Sequence, residues 1–361
     1  MKSSSGLYFS RLDHVRGLAA YLVFVWHFMH LTAQYPVPFS AVPPFPLALL
    51  DEGYVGVALF MTLSGYLFAK LVHGHTINYR VFLWSRAVRL LPLLAACIAA
   101  WSMLGYLGIS DPVSFAEIWC GVMLPTLPNG AWSITVEFHF YLLFPFLLLV
   151  SDRLGPYILL AGVGVSLCLR AAIWAKYGQV QLLAYWTIIG AIDQFLIGMF
   201  FAIAKFGSQA RGVTAAICGI CFLVFWQFLD AQGGFYHLDG GYPSPSALWI
   251  IIPTIQAVVF GSFIAWYDEA TFGIPPKVDI CLRKLGEWSY SIYLLHFFLR
   301  AACIPLVSDR TGQDSNLWWA LPASTVIFVL FAPLAGLSYE FFEKPFLRLR
   351  KPYILQSQCG R

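Results

Sequence analysis

The sequence predicts an all-α integral membrane protein, a bundle of about ten transmembrane helices with both termini cytoplasmic. Three observations carry that prediction. The 361 residues are 59% hydrophobic and only 11% charged, with a mean hydropathy of +0.72, whereas a soluble domain carries about 25% charged residues. Aromatic residues reach 17%, as expected where Trp and Tyr belt both bilayer interfaces. Apolar segments of about 20 residues, the length that crosses a bilayer core, recur ten times.

In chain order the spans are 13–33, 54–73, 88–108, 132–151, 156–174, 184–205, 213–230, 247–267, 289–307 and 317–340. The apolar stretch 115–129 contains Pro125 and Pro128. It is too short to span and reads as an interfacial or re-entrant piece. Residues 1–346 form one membrane domain, and 347–361 are a short cytoplasmic tail. The N-terminus shows no short apolar region followed by a small-residue cleavage site, so the first segment reads as a retained helix.

Charge asymmetry tests the count independently, because cytoplasmic loops are rich in Lys and Arg. With the N-terminus inside, 18 of the 22 cationic residues fall on the inner side. Only Arg170, Lys176, Arg300 and Arg310 fall outside. One helix more or fewer would scramble this split. The outer loops 34–53 and 231–246 are rich in Pro, Gly and Tyr, compatible with a sugar but equally with plain connectors. No internal repeat is visible, which weighs against many transporter folds.

Some functions are excluded early. The net charge of +4 is spread over short loops with no dense basic block, so nothing points to nucleic acid. The eight cysteines are scattered, and Cys218-x-x-Cys221 lies in an apolar helix without a second pair, which reads as packing.

The chemistry-bearing residues are few. Arg16 and His27 are eleven residues apart in the first span. Eleven steps of 100° bring them to one helix face, roughly 16 Å apart along the axis. Ionisable groups at membrane depth are functional candidates by default, and His suits acid–base work near neutral pH. Alone, Arg16 reads equally as a snorkelling anchor and His27 as a packed, hydrogen-bonded histidine; together they favour a site facing the bundle interior. Asp13, one turn before Arg16, is positioned to pair with it. His30 lies one turn beyond His27, but no acidic ligand is obviously nearby, so a metal site is not expected.

Ser64 and Gly65 fall in the middle of the second span, where Gly65 reads as helix packing and Ser64 as a group for a buried polar site. Arg86 and Arg89, one turn apart at the inner edge, suit phosphate recognition or lipid headgroup anchoring; a helix start there would also favour an anion. Glu137 lies about two turns into the fourth span and needs a partner: an arginine, His27 or substrate. Tyr290, Tyr293 and His296 share a face of the ninth span, with His296 at the depth of His27. Glu343 and Pro345 read as an interfacial helix terminus.

These blocks, in this order and spacing, resemble acyltransferase family 3, a family of membrane-bound acyl-transferring proteins. The resemblance runs from about residue 8 to 346. It rests on R-x10-H at Arg16 and His27, the glycine block from Gly53 to Gly65, and R-x-x-R at Arg86 and Arg89. It rests also on W-S-x-x-x-E-x-x-F-Y from Trp132 through Glu137 to Tyr141, and on S-Y-x-x-Y-L-x-H from Ser289 to His296. Phe138 departs from the family, which often has a second acidic residue there, and that puts one neighbouring polar contact in doubt.

The resemblance implies transfer of an acyl group, often acetyl, from acyl-CoA to a hydroxyl of a carbohydrate or other acceptor. That acceptor would be a surface polysaccharide or lipid-linked oligosaccharide, met at the bacterial inner (cell) membrane. Acyl-CoA, most often acetyl-CoA, is then a co-substrate, and no metal is implied. His27 and Arg16 are implied as the catalytic pair, with Glu137 beside them. Arg86 and Arg89 bind the donor, and Asp13, Ser64, Tyr141, Tyr293 and His296 support the site. His27 then acts as general base on the acceptor hydroxyl, with a covalent acyl-His27 route left open. The competing class is a solute or proton-coupled carrier, which would show flux without acyl-CoA dependence. A non-catalytic scaffold would leave His27 and Glu137 without a purpose.

Overall fold

The computed structural model describes residues 8–31, 42–110, 112–128, 130–204, 206–307 and 317–355. Ten helices of sixteen residues or more among them lie over the ten segments. They are α1 Ser10–Met29, α2 Val55–Val72, α3 Tyr79–Tyr106, α4 Trp132–Leu154, α5 Ile158–Tyr177, α6 Ile188–Ile203, α7 Ser208–Ala231, α8 Ile252–Glu269, α9 Pro276–Val307 and α10 Leu317–Ser338. Six of the described helices are long and apolar enough to cross a membrane by length and composition. From the charge count, Lys2, Lys205, Arg310 and Arg361 lie outside the described residues, as do Cys359 and residues 34–41 of the proline-rich loop 34–53.

The outer surface is that of a multi-pass membrane protein. Val213, Ile217, Ile220, Val224 and Phe228 on α7 are exposed, as are Val326, Val329, Leu330, Leu334 and Leu337 on α10. Continuous exposed apolar faces of this kind are unfavourable in water and natural in lipid. The prolines inside α3, α4 and α10 fit the same setting, where packed neighbours compensate the lost backbone bonds.

At the centre are α1 and α2. The apolar window of α2 is 83% buried, against 17% for α7. α1 packs most extensively on α9, and α2 on α6. The α2–α6 crossing depends on two glycines. A Cβ at Gly65 would overlap the Phe195 carbonyl, and one at Gly198 would overlap the Thr62 carbonyl. Backbones meet directly there, the membrane use of small residues, and the packing role read for Gly65 is what the structure shows.

Three boundaries differ from expectation. α3 begins nine residues before the predicted 88, capped by Asn78, whose Oδ1 accepts from the Val81 amide at 3.2 Å; the cap ends the preceding turn. α9 begins at Pro276 rather than 289. Proline favours the first helical turn, and the added turns carry an Asp279–Arg283 ion pair at 2.8 Å. The sixth segment is split at Thr187, whose side chain accepts from the Gly190 amide to start α6 afresh. Among the described residues of 115–129 the one helix is the short Phe115–Cys120, opened by a Ser114–Glu117 capping box.

Two charge placements need correction. Arg170, counted as an outer cation, is fully buried within the bundle. It donates to Asp193 Oδ2 and Thr254 Oγ1, both at 2.7 Å, and to the Gly190 carbonyl. Its charge is consumed inside the protein and carries no topological weight. Glu343 is also buried rather than interfacial. A π-helical turn, Tyr339–Glu343, rotates it inward, where its Oε1 accepts from Ser291 Oγ at 2.5 Å.

One end of the bundle gathers the start of α1, the α2–α3 and α8–α9 connections and the last described residues. Arg11 donates to the Phe272 carbonyl at 2.7 Å, Lys70 pairs with Asp268, and Ile354–Leu355 form an antiparallel ladder with Thr76–Ile77. We call this the basic end.

Candidate active site

A cavity with about 750 Å³ of empty space, open solvent included, lies between α1, α2, α3, α4 and α9. Its wall joins residues that the sequence scatters over five segments: Arg16 from α1, Ser64 from α2, Arg86 and Arg89 from α3, Ser133, Glu137 and Tyr141 from α4, and Ser289, Tyr290 and Tyr293 from α9. Phe60, Met61, Phe68 and Leu90 supply apolar lining.

The basic side of the wall is built from arginines with contrasting partners. Arg16 Nη1 donates to Asp13 Oδ1 at 2.7 Å, as the i,i+3 spacing predicts. Arg86 is buried, 7% exposed. Its guanidinium stands 4.9 Å from the Phe68 ring centroid, 5.7 Å from that of Phe82 and 5.9 Å from that of Tyr353. No hydrogen bond or ion pair holds Arg86 among the described residues, and its Nε is buried without a partner. A charged donor left this way is costly unless an anion completes it. Because α3 starts two turns earlier, paired guanidiniums rather than a helix end make this wall basic.

Opposite lies Glu137. Ser64 Oγ donates to its Oε1 at 3.0 Å, and Tyr141 OH donates to the same oxygen. Of the partners considered for Glu137, the structure chooses the cavity: it makes no hydrogen bond to His27. Ser64 thus joins a buried polar site between α2 and α4.

Along α9 the cavity wall ends at Tyr293, one turn short of a histidine. Tyr290 OH donates to the Leu90 carbonyl at 2.7 Å. Tyr293 OH donates to the Gly130 carbonyl at 2.9 Å and accepts from Ser133 Oγ at 2.8 Å. One turn on, His296 stands at the depth of His27, with ring centroids 4.9 Å apart. His296 Nδ1 lies 2.7 Å from the Tyr293 carbonyl, and a carbonyl only accepts, so Nδ1 carries the proton. His27 Nδ1 lies 2.8 Å from the Val23 carbonyl and 3.3 Å from His296 Nε2. The same logic places its proton on Nδ1, shared between the two acceptors. His27 Nε2 is left with a free lone pair and no hydrogen bond among the described residues. Phe297 packs against both rings, at 4.8 and 4.3 Å.

Seven of the ten candidate residues therefore meet in the cavity: Arg16, Ser64, Arg86, Arg89, Glu137, Tyr141 and Tyr293. Asp13 supports Arg16, while His27 and His296 form a pair beyond the cavity lining. His30 does not join them. Its Nε2 contacts Asp51 Oδ1 at 2.7 Å, so the acidic partner absent from its sequence neighbourhood is supplied by the turn before α2. Among the described residues no group of three or more His, Cys, Asp or Glu could hold a metal. Sequence reasoning missed the part played by Ser133 and the placement of Arg350 beside α3. A signal for Arg350 was present: the Arg348-x-Arg350-Lys351 run follows the last helix on the side the charge count assigns to Arg86.

Residues 9–337 match the acyltransferase domain family. Among curated proteins, the chain is 23% identical over 382 residues to the peptidoglycan O-acetyltransferase OatA of Listeria monocytogenes, covering 94% of this chain and 56% of that protein. It is 26% identical over 312 residues to BcsY of Komagataeibacter xylinus, provisionally named a membrane-bound transacylase, covering 79% and 71%. It is 25% identical over 342 residues to YrhL of Bacillus subtilis, provisionally named a peptidoglycan O-acetyltransferase, covering 82% and 50%. The chain thus spans between half and about 70% of the length of these relatives. No solved structure matches it.

Proposed function

The chain belongs to acyltransferase family 3, and from that premise we propose that it is a membrane O-acyltransferase. It moves an acetyl or similar short acyl group from acyl-CoA to a hydroxyl of a carbohydrate acceptor, a cell-surface polysaccharide or lipid-linked glycan. In this reading all ten long helices span the inner membrane of a bacterium, with the basic end cytoplasmic. The observation that carries it is the cavity, whose wall holds a buried arginine without a hydrogen bond or ion pair among the described residues and ends at Tyr293, one turn of α9 short of a histidine pair. The names of the relatives, which refer to peptidoglycan, support a glycan acceptor.

The phosphates of the donor rest on Arg86 and Arg89, while its pantetheine arm follows the cavity past Tyr293 towards His27. The roughly 16 Å from Arg16 to His27 is the length this arm covers. His27 Nε2 takes the proton of the acceptor hydroxyl as the oxygen attacks the thioester carbonyl. The C–O bond forms, the C–S bond breaks, and the proton passes to the departing thiolate. His296 accepts from His27 Nδ1–H and fixes the tautomer that leaves Nε2 basic. Ser64 and Tyr141 hold Glu137 facing the cavity, and Arg16, steadied by Asp13, orients the donor.

Two measurements test this. Purified protein in nanodiscs should bind acyl-CoA, and Arg86→Ala/Arg89→Ala should abolish binding; a wild-type protein that moves solute and binds no acyl-CoA would establish the carrier instead. His27→Ala should keep donor binding but lose about 10²–10⁴-fold in transfer, the usual worth of a general base. Unchanged transfer in that variant would remove His27 from the chemistry.

A further inference from the structure

The segment after the last helix folds back against α3, the helix that carries Arg86 and Arg89. Four contacts fasten it to the start of α3. Ile354 and Leu355 pair with Ile77 and Thr76, and the Asn78 amide donates to the Tyr353 carbonyl at 2.8 Å. Ser85 Oγ donates to the Lys351 carbonyl, and Trp84 Nε1 to the Leu349 carbonyl, each at 3.3 Å. Residue 350 is therefore held between two anchored neighbours, beside the helix that carries Arg86 and Arg89. Tyr353 is 1% exposed. Its ring packs edge-on against Phe82 at 5.3 Å and forms one face of the aromatic enclosure around Arg86.

We propose that this strap belongs to the donor site, and that Arg350 supplies a third guanidinium, with Arg86 and Arg89, for a polyphosphate anion. The proposal rests on the donor reading above and extends it to a segment outside the matched family region, which ends at residue 337. Burial, and then the neighbouring guanidiniums of Arg89 and Arg86, push Arg350 down to about 8, so the three groups stand in one another's field. Three guanidiniums brought together are stable where several phosphate charges arrive at once. The nucleotide end of CoA has that chemistry, and so do phosphorylated lipid headgroups.

The test is titration of CoA into wild-type protein and variants, in nanodiscs of zwitterionic and then of anionic lipid. Arg350→Ala should weaken CoA binding at least about tenfold, as expected for a lost bond to a charged group, without moving the thermal midpoint. Arg350→Lys should recover part of the affinity. Wild-type CoA affinity in Arg350→Ala, with Arg86→Ala/Arg89→Ala still unable to bind, would overturn the strap's role while leaving the donor reading intact. CoA affinity indifferent to all three arginines would overturn both. Loss of anionic-lipid retention with unchanged CoA affinity would assign Arg350 to a headgroup and likewise overturn the proposal.

Discussion

Two buried arginines, Arg170 and Arg86, show how this molecule separates structure from function. Arg170 is fully enclosed between α5, α6 and α8. It meets a carboxylate, a hydroxyl and a carbonyl, and Asp193 in turn accepts from Thr254 at 2.5 Å. Arg86 is almost as buried but, among the described residues, meets only aromatic rings, and it faces a cavity. Both are expensive to place in a membrane. The first cost is met within the fold, so Arg170 ties three helices together. The second is left open, and the proposed donor phosphates are what would meet it. Burial alone would rank these residues the same way; the list of partners separates them.

The largest expected effect breaks the closed pair. Arg170→Ala strands the Asp193 carboxylate in a dry interior, which costs about 3–5 kcal/mol, and should lower the thermal unfolding midpoint sharply. Replacing both residues by apolar ones, Arg170→Met/Asp193→Leu, should recover most of that loss, because a buried ion pair is exchangeable for packing. Arg86→Ala should behave oppositely. It forfeits cation–π contacts worth about 0.5–1 kcal/mol, shifts the midpoint little, and still loses donor affinity. An Arg86→Ala protein as unstable as Arg170→Ala would erase the distinction.

Much of the open site was legible in the sequence, and the closed one was not. Helical periodicity places Arg16 and His27 on one face, and depth alone puts His296 beside His27. Both inferences use regularities that hold within a single helix or across a bilayer of fixed thickness. Arg170 defeated the charge count because its partner lies 23 residues away on the following helix, and no periodicity reports a pairing between helices. The His30–Asp51 contact and the Arg350 strap escaped for the same reason: each is set by tertiary packing between distant segments. The Glu137 partners were half visible. The block spacing exposed Ser64 and Tyr141 as candidates, but only the packing of α2 on α4 showed that both donate to one carboxylate oxygen.

A smaller effect comes from the packing that holds the cavity wall in place. Gly65→Ala sets a methyl against the Phe195 carbonyl and must push α2 from α6, an overpacking cost of about 1–3 kcal/mol. Since Ser64 is the adjacent residue, the thermal midpoint should fall together with kcat/KM. A lowered midpoint with unchanged kcat/KM would show that the placement of Ser64 tolerates a shift of its helix.

The smallest effect is expected at Ser133, and it probes the same contrast between closed and open bonding. Tyr293 OH both donates to Gly130 and accepts from Ser133. Removing the serine hydroxyl leaves the phenol anchored through its own proton. Ser133→Ala should therefore cost only the net value of a neutral hydrogen bond, about 0.5–1.5 kcal/mol, read as a two- to tenfold fall in kcat/KM with an unmoved midpoint. Tyr293→Phe removes both bonds at once and leaves the Gly130 carbonyl without its donor, so its loss should exceed that of Ser133→Ala. Equal losses would mean that Ser133 acts on the passing acyl donor itself rather than through the tyrosine, and would move it from the supporting wall to the open part of the site.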